Sequence, residues 1–422
     1  MIRNLLIASL LTATAATAAH AQELQLRHKL EGRALDVLST LVVKFNDEQK
    51  GKGTIRLQSL PAPEERKHLP HMALLDTSDS REFFDTLPRF TPLHEVMKSA
   101  GEKFDSRSLF PQVADAVDDS AGRLQALPVG LSLPALYLNR KLLKAAGVDP
   151  DQPPKTWWEL QNVAGKVFDS GVKCPLTSSD FSWLHLENLA TQHDLPIALR
   201  TKTSEKLAVN SMVHVKHLAL LASWQKARYF HYSGHYREGD LRFLSSECAM
   251  LTSDTTLFSE ARSRGMEVTI AALPHYDDVY GVKPGDVVPD GASLWTLAGL
   301  KKDQTKLAAK FVSFLLRPEI QREWVRATTY LPMSPGAVEA LRAAKAFPDA
   351  LLDAAQKRLA IPTKNSTRPR AGVLRERLRA VFSQEVVPVW NADSPAKEAL
   401  DLTVEKANAL GAPLIAPMTK MR

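Results

Sequence analysis

The sequence LPALYLNRKLLKAAGVDPDQPPKTWWELQNVAGKVFDSG runs from Leu133 to Gly171 and contains a clear alternation of strand and helix patterns. The apolar run LPALYLN predicts a β-strand. Thr156 is a good helix N-cap, and it predicts a helix over WWELQNVAGKVFDSG that ends at Gly171. The next apolar run, VKCPL, predicts another strand. Strands separated by helices indicate an α/β fold with a parallel sheet.

The same alternation appears on both sides of this segment. Before it, LQLRHKL and TIRLQSL predict strands on either side of a helix, and MALLDTS predicts a third strand. A second α/β unit extends from about 135 to 288, and the strand pattern GASLWTLAG follows it. Ligands of such sheets bind at the carboxyl ends of strands. We therefore expect ligand contacts at the residues that close the early strands, namely His28, Lys29, Asp76 and Ser78.

The composition is that of a folded protein with more than one domain. The chain has 422 residues, of which 44% are hydrophobic and 24% charged, so it is too long for one compact core. Lys and Arg number 54 and Asp and Glu 47, which gives a formal net charge of +7. This mixture of apolar and oppositely charged residues argues against disorder, a coiled coil and a polytopic membrane protein.

The first residues have the features of an export signal. Residues 1–21 combine Arg3, an apolar run and the cleavage pattern Ala19-His20-Ala21, which predicts a signal peptide and a periplasmic protein. A membrane anchor is the weaker alternative. In an oxidising compartment Cys174 and Cys248 can form a disulfide, although two buried free thiols fit the local pattern equally well.

Motifs for metals, cofactors and nucleic acids are weak or missing. His231 and His235 have the spacing of helical zinc ligands, but Gly234 interrupts the helix, and no HExxH, GxGxxG, Walker or GxSxG motif occurs. We predict no metal, no cofactor and no catalytic residue. A basic cluster consists of Arg368, Arg370, Arg375, Arg377 and Arg379. Export argues against nucleic acid as its partner, but one of these arginines in a cleft can bind a phosphate or carboxylate bidentately.

Several phrases resemble one transport family. LYLNRKLLKAAGVDPDQPPKTWWEL, together with HKLEG, VKCPL, WLHLEN, ECAM, GASLWTLAG and TTYLPMSP, is similar to the extracellular solute-binding proteins (family 1) of ABC importers, and most of all to their sn-glycerol-3-phosphate-binding branch. The resemblance implies a two-lobed, maltose-binding-protein-like (type II) fold with the ligand cleft between the lobes. It also implies a monomer that catalyses no reaction and delivers its solute to a permease and ATPase complex in the inner membrane.

The resemblance also implies how the chain divides into lobes. The N-terminal lobe comprises 22–131 and about 292–335, and the C-terminal lobe comprises about 135–288 and about 336–422. The residues of the family that hold phosphate match Ser132, Gly291, Tyr330 and Arg379, with Arg375 or Arg377 as alternatives for the arginine. These groups offer charge-assisted donors to an anion.

The residues that face the organic end of the ligand in the family match this chain less well. Trp183 matches an aromatic wall, and Asp180, Asp254 and Ser78 stand where the family has other side chains. His28 and Lys29 add donors at the end of the first strand. The two aspartates favour an amine or sugar hydroxyls, so the ligand candidates are glycerophosphodiesters with amino headgroups, sugar phosphates and aminoalkyl phosphonates.

The resulting prediction is a periplasmic binding protein for a small organophosphate of the sn-glycerol-3-phosphate or glycerophosphodiester type. A neutral sugar is the alternative within the same class of protein. The alternative from another class is a secreted phosphodiesterase, whose site would consist of His68, His71, Asp76 and Asp79.

Overall fold

The computed structural model of the chain describes residues 22–60, 70–76, 90–115, 117, 122–200, 205–234, 236–279, 281–282, 286–345, 347–361 and 372–410. The predicted signal peptide and Ser78 therefore lie outside the described residues. Among the helices that the structure describes, none combines the length and the apolar character needed to cross a membrane.

The strands and helices alternate along most of the chain. The strands are β1 (Gln22–His28), β2 (Gly53–Ser59), β3 (Met72–Asp76), β4 (Leu127–Ser132), β5 (Pro134–Asn139), β6 (Cys174–Ser178), β7 (Ala198–Arg200), β8 (Glu205–Leu207), β9 (Phe230–Tyr232), β10 (Cys248–Asp254), β11 (Val268–Ala271) and β12 (Asp290–Thr296). The helices of the first half are α1 (Gly32–Glu48), α2 (Leu93–Ala100), α3 (Pro111–Asp115), α4 (Arg140–Ala145), α5 (Trp157–Asp169), α6 (Asn188–Gln192) and α7 (Met212–Lys226).

The second half is mainly helical. Its helices are α8 (Glu238–Leu244), α9 (Leu257–Ser263), α10 (Lys302–Leu315), α11 (Pro318–Thr328), α12 (Pro335–Ala343), α13 (Asp349–Leu359), α14 (Gly372–Glu385), α15 (Val387–Trp390) and α16 (Ala396–Ala409). A 3-10 turn (Ser106–Ser108) and a π-helical turn (Trp183–Glu187) complete the described elements.

The strands form two five-stranded sheets and a small β7–β8 ladder. The first sheet has the order β2-β1-β3-β12-β4, and the second has the order β11-β5-β10-β6-β9. The prediction of parallel pairing is right for β1, β2 and β3 and for β6, β9 and β10. It is wrong for β5 and β12, which pair antiparallel with their neighbours. Each of these strands follows a strand of the other sheet, β4 before β5 and β11 before β12, so it begins at the edge where the parallel strands of its own sheet end.

Each sheet has its own hydrophobic core. The first core contains Phe45, Phe311 and Trp324, and the second contains Trp157 and Trp224. The predicted lobe division assigns α12 and α13 to the C-terminal lobe, which begins again at about residue 336. In the structure both helices bury apolar side chains in the first core. These side chains include Val338, Leu341, Leu352 and Leu359. The α14 and α16 helices pack in the second core.

The helix predicted after Thr156 has the expected boundaries. The Thr156 hydroxyl accepts a hydrogen bond from the Glu159 N–H (3.1 Å), and the Glu159 carboxylate accepts one from the Thr156 N–H (3.3 Å). This capping box satisfies two N–H groups at the start of α5. At the other end Gly171 has φ of 94°, a left-handed conformation that suits glycine after a helix.

Cys174 in β6 and Cys248 in β10 form a disulfide, and the Cα atoms of the two cysteines are 4.5 Å apart. The two cysteines are direct partners in the parallel ladder. The structure therefore selects the bridge from the two interpretations that the sequence left open.

Replacing both cysteines by alanine should lower the free energy of unfolding by about 2–5 kcal/mol, since the bridge restricts the unfolded chain over a long loop. The sequence separation of the pair is 74 residues. Chemical denaturation of the double variant and of oxidised wild type measures the difference. Dithiothreitol should lower the stability of wild type to a similar extent and leave the variant unchanged. Equal stability of oxidised wild type and the variant would contradict the prediction.

Candidate functional site

The chain passes from the first sheet to the second at Leu133, and this crossover brings strand ends from both sheets together. β4 ends at Ser132 and β5 begins at Pro134, which lies opposite Asp254 at the end of β10. The Leu133 N–H donates to the Thr255 hydroxyl (3.2 Å), and the Thr255 N–H donates to the Leu133 carbonyl (3.0 Å). Consequently the residues that close β4 and β10 lie beside each other.

Gly291 in β12 approaches β4 so closely that no side chain fits. Its φ is 147°, and a Cβ atom would lie 1.5 Å from the Gly130 carbonyl oxygen. The preceding residue, Asp290, is the ladder partner of Ser132, whose hydroxyl is 3.5 Å from the Asp290 carbonyl oxygen. The Gly291 N–H donates to Asp290 Oδ1 (2.9 Å). The close approach thus holds the Asp290 carboxylate at the crossover.

Arg379 reaches the same place from α14. Its Nη2 donates to Asp290 Oδ2 (2.6 Å), and the two side chains are only 10% and 16% exposed. Such a charge-assisted contact is stronger than a hydrogen bond between neutral groups. The structure therefore brings together Arg379 and Gly291, two members of the predicted anion-binding set. The side chains of the alternatives Arg375 and Arg377 lie outside the described residues.

Arg237, which sequence analysis missed, contacts three aspartates at the edge of the second sheet. Its guanidinium lies 2.7 Å from Asp254, 2.6 Å from Asp240 and 3.8 Å from Asp180. The arginine side chain is 44% exposed, whereas those of Asp254, Asp240 and Asp180 are 11%, 4% and 18% exposed. Arg237 and Arg379 and the aspartates they contact are called the aspartate–arginine cluster below. Its members are Asp180, Asp240, Asp254, Asp290, Arg237 and Arg379.

Asp254 is already hydrogen-bonded within the protein. Its Oδ1 accepts from the Thr256 N–H (2.8 Å) and the Thr256 hydroxyl (2.5 Å), and its Oδ2 faces Arg237. Asp180 has an unusual backbone, with φ of 40°, directly after β6. Burial raises the pKa of Asp180 to about 7, although Arg379 and Arg237 act in the opposite direction. Asp180 therefore changes its protonation state near neutral pH.

Tyr330 lies against the first sheet near the crossover. A Cβ atom on Gly130 would come within 2.8 Å of its ring, and the ring stacks on Trp324 with centroids 6.2 Å apart. Burial raises the pKa of Tyr330 to about 12, and the charges of Asp254 and Asp76 add to the effect. The phenol therefore stays protonated and can donate a hydrogen bond at neutral pH.

Other predicted contacts are placed differently. Trp183 is fully buried, with its indole N–H donating to the Val288 carbonyl (2.8 Å). The prediction that Trp183 forms a wall against the ligand is wrong for this structure, because the second core encloses its ring. His28 is 2% exposed, and burial lowers its pKa. Of the two donors predicted at the end of β1, only Lys29 is exposed.

The predicted hydrolase site is only partly described. Its residues were His68, His71, Asp76 and Asp79, of which His68 and Asp79 lie outside the described residues. His71 Nδ1 accepts from the Gln25 N–H (2.9 Å), and His71 Nε2 is 3.0 Å from the Gln304 amide nitrogen. Both ring nitrogens of His71 therefore have protein partners. Within the described ranges no group of three or more His, Cys, Asp or Glu residues could hold a metal ion.

A chain of buried hydrogen bonds extends inward from the end of β6. The Ser178 hydroxyl lies 2.9 Å from His185 Nε2, His185 Nδ1 lies 2.8 Å from His217 Nε2, and His217 Nδ1 lies 2.9 Å from the Tyr276 hydroxyl. Burial lowers the pKa of His185 to about 3 and that of His217 well below its usual range. Both imidazoles are therefore neutral at physiological pH. We name this series the histidine chain.

Sequence analysis missed Arg237, Asp240 and Asp290. Arg237 and Asp240 are three residues apart and pair at the start of the short helix α8. That spacing is common on helix surfaces and has no specific meaning without the fold. Asp290 directly precedes the GASLW phrase. Its position beside a residue of the predicted anion-binding set is the one signal that was available.

Comparisons with known proteins agree with this architecture. A family model described as bacterial extracellular solute-binding protein matches residues 70–350. The sn-glycerol-3-phosphate-binding periplasmic protein UgpB of Salmonella paratyphi A is 33% identical over 328 residues, which cover 76% of this chain and 74% of the relative. The UgpB of Escherichia coli is 32% identical over 327 residues with the same coverage of both chains.

Solved structures with a similar fold are sugar-binding proteins. The cyclic alpha-maltosyl-1,6-maltose binding protein from Arthrobacter globiformis has a TM-score of 0.73 and 18% identity, and the match covers 92% of this chain and 98% of that one. The maltose-bound MalE3 of T. maritima has a TM-score of 0.71 and 17% identity, with 92% and 100% covered. These likenesses confirm the two-lobed, maltose-binding-protein-like α/β fold.

The relatives and the fold neighbours are binding proteins and not enzymes, so the chain is a binding protein rather than the hydrolase considered as an alternative. The family model covers well over half of the chain. The chain belongs to the bacterial extracellular solute-binding proteins, the family that serves ABC importers.

Proposed function

We propose that the chain captures a small organophosphate of the sn-glycerol-3-phosphate or glycerophosphodiester type. The observation that carries the proposal is the position of Arg379, whose guanidinium lies at the crossover next to the Gly291 N–H. The names of the relatives support the same ligand class. A guanidinium and a backbone N–H side by side are suitable donors for phosphate oxygens.

Two neutral hydroxyl groups lie near these donors. Ser132 is the ladder partner of Asp290. The Tyr330 ring packs on Gly130, which lies two residues before Ser132 in β4. Both hydroxyls can donate to a phosphate without adding charge. Arg379, the Gly291 N–H, Ser132 and Tyr330 then form the anion-binding half of the site.

The organic half of the ligand faces acidic residues. The aspartate–arginine cluster contains four aspartates and two arginines, so carboxyl groups outnumber guanidinium groups even when Asp180 is protonated. Sugar hydroxyls or an ammonium group can pair with these carboxylates, whereas a second phosphate cannot. This favours a glycerophosphodiester with an amino headgroup, a sugar phosphate or an aminoalkyl phosphonate.

The proposal includes how the protein works in the cell. The signal peptide at residues 1–21 exports the chain to the periplasm, where the monomer closes its two lobes over the solute. The closed form then delivers the solute to the permease and ATPase complex of an ABC importer. Affinity comes from closure over the anion and requires no chemical change of the ligand.

Thermal or chemical unfolding should reveal the ligand. Protein refolded free of carried-over solute is tested with sn-glycerol 3-phosphate, glycerophosphocholine, aminoethylphosphonate, glucose phosphates, inorganic phosphate and maltose. A ligand at about 100 times its Kd stabilises the native state by about 2.7 kcal/mol. We expect stabilisation by at least one organophosphate, and none by maltose.

The variant Arg379→Lys should weaken binding of that organophosphate about tenfold or more, because lysine keeps the charge but loses the planar fork. Isothermal titration calorimetry measures the Kd. Arg140→Lys is the matched control, since Arg140 forms an ion pair with Asp151 (2.6 Å) at the surface. Stabilisation by maltose alone, or unchanged affinity in Arg379→Lys, would refute the proposed anion site.

The raised pKa of Asp180 predicts a pH-dependent stability difference. The unfolded chain releases this proton near pH 4 and the folded protein near pH 7, so Asp180 destabilises the folded state increasingly over that range. Asp180→Asn should therefore gain stability relative to wild type as the pH rises from about 4 to about 7, with a slope approaching about 1.4 kcal/mol per pH unit.

Denaturation of both proteins across this pH range measures the difference. Asp151→Asn is the control, because hydrogen bonding to Arg140 lowers the pKa of the exposed Asp151 carboxyl. That variant should show no gain as the pH rises. A difference between Asp180→Asn and wild type that stays constant with pH would mean that Asp180 titrates normally.

A further inference from the structure

Asp290 uses both oxygens of its carboxylate on groups that we assign to the ligand. Oδ2 accepts from Arg379 Nη2 (2.6 Å), and Oδ1 accepts from the Gly291 N–H (2.9 Å). These are the charged donor and the backbone donor of the proposed anion site. A phosphate that binds there must share or replace the contacts of the carboxylate.

Sharing is electrostatically unfavourable. Asp290 and Arg379 are 16% and 10% exposed, so water screens the charges at this position only partly. A phosphate beside an ionised Asp290 would be repelled at close range, because two like charges in a poorly solvated site oppose each other. The ligand anion and the Asp290 carboxylate therefore compete for the same N–H groups.

The side chain of Asp290 can rotate although the backbone of this residue is held in place. Asp290 is held in the ladder opposite Ser132, and the close contact of Gly291 with Gly130 prevents a shift of β12 towards β4. Rotation of the Asp290 side chain about χ1 is enough to release both donors. Neighbouring backbone groups can then stay in place during the exchange.

We propose that Asp290 is a built-in competitor for the anion site, which a ligand must displace from Arg379 and the Gly291 N–H in order to bind. This inference rests on the proposed function. It makes Asp290 a specificity-determining residue, because only a ligand with a strongly charged anionic group replaces the lost ion pair. A neutral solute offers nothing in exchange for the carboxylate, so the same residue excludes neutral solutes.

The test compares Asp290→Asn with wild type. Asparagine has nearly the same shape and can still accept from the Gly291 N–H, but it carries no charge. Calorimetric titrations with sn-glycerol 3-phosphate and with inorganic phosphate should give a Kd about tenfold lower or better in the variant, which corresponds to about 1.4 kcal/mol. Without ligand the variant should be less stable than wild type, since the ion pair between Arg379 and Asp290 is lost.

Two controls separate charge from packing. Asp290→Glu keeps the competing charge and should show no gain in affinity. Asp151→Asn removes an aspartate from an ion pair with Arg140 at the surface and should leave the Kd unchanged. Should Asp290→Asn fail to fold, Asp290→Ser removes the same charge with a smaller side chain. A purely structural role would lower stability and affinity together.

The outcomes distinguish this inference from the proposed function. Phosphate binding by wild type that weakens or stays unchanged in Asp290→Asn overturns the competitor and leaves the proposed function standing. Phosphate binding by Asp290→Asn but not by wild type supports competition by Asp290 and refutes the proposed function for the two phosphates tested. Absence of phosphate binding by either protein refutes both.

Discussion

The contact between β4 and β12 is the constraint on which the rest of the site depends. Gly291 lies so close to the Gly130 carbonyl that β12 tolerates no side chain at this position without moving away from β4. Asp290 lies opposite Ser132 next to this contact, and the Tyr330 ring occupies the space that a side chain on Gly130 would fill. The crossover from one sheet to the other follows directly after Ser132. Geometry that serves the backbone thus also positions the polar groups of the cleft.

Two arginines organise the charges at the crossover, and each of them contacts aspartates of the protein. Arg237 holds the aspartates of the second sheet, and Arg379 holds the aspartate of the first. Burial raises the pKa of Asp180 to about 7 against the effect of both arginines, and neighbouring carboxylates add a smaller contribution. Under the proposed function, a solute that enters this site replaces charge contacts within the protein by its own. Selectivity then depends on how well the charges of the solute replace those of the displaced side chains, and less on contact area.

Local signals predicted much of the fold but only part of the site. The Thr156 cap and the apolar runs gave the strands and helices, because hydrogen bonding and burial along a few neighbouring residues determine them. Strand direction in β5 and β12 depends on where the chain crosses between sheets, which no local pattern records. Arg237 contacts Asp180 and Asp254, which are distant from it in sequence. It also contacts Asp240, but a spacing of three residues does not by itself indicate a site. Trp183 was misplaced because an aromatic residue in the core and one in a cleft look the same in a sequence.

The hydrogens of the histidine chain must all run in the same direction, because each imidazole is neutral and donates through only one of its two nitrogens. If the Ser178 hydroxyl donates to the Ser179 carbonyl (2.9 Å), its oxygen accepts the hydrogen of His185 Nε2, which also lies 3.1 Å from the Thr252 hydroxyl. His185 Nδ1 then accepts from His217 Nε2, and His217 Nδ1 accepts from the Tyr276 hydroxyl. The orientation of the Ser178 and Thr252 hydroxyl groups therefore determines the tautomer of both rings. An added proton would place two hydrogens in one contact, so the series cannot relay protons unless every member reverses together.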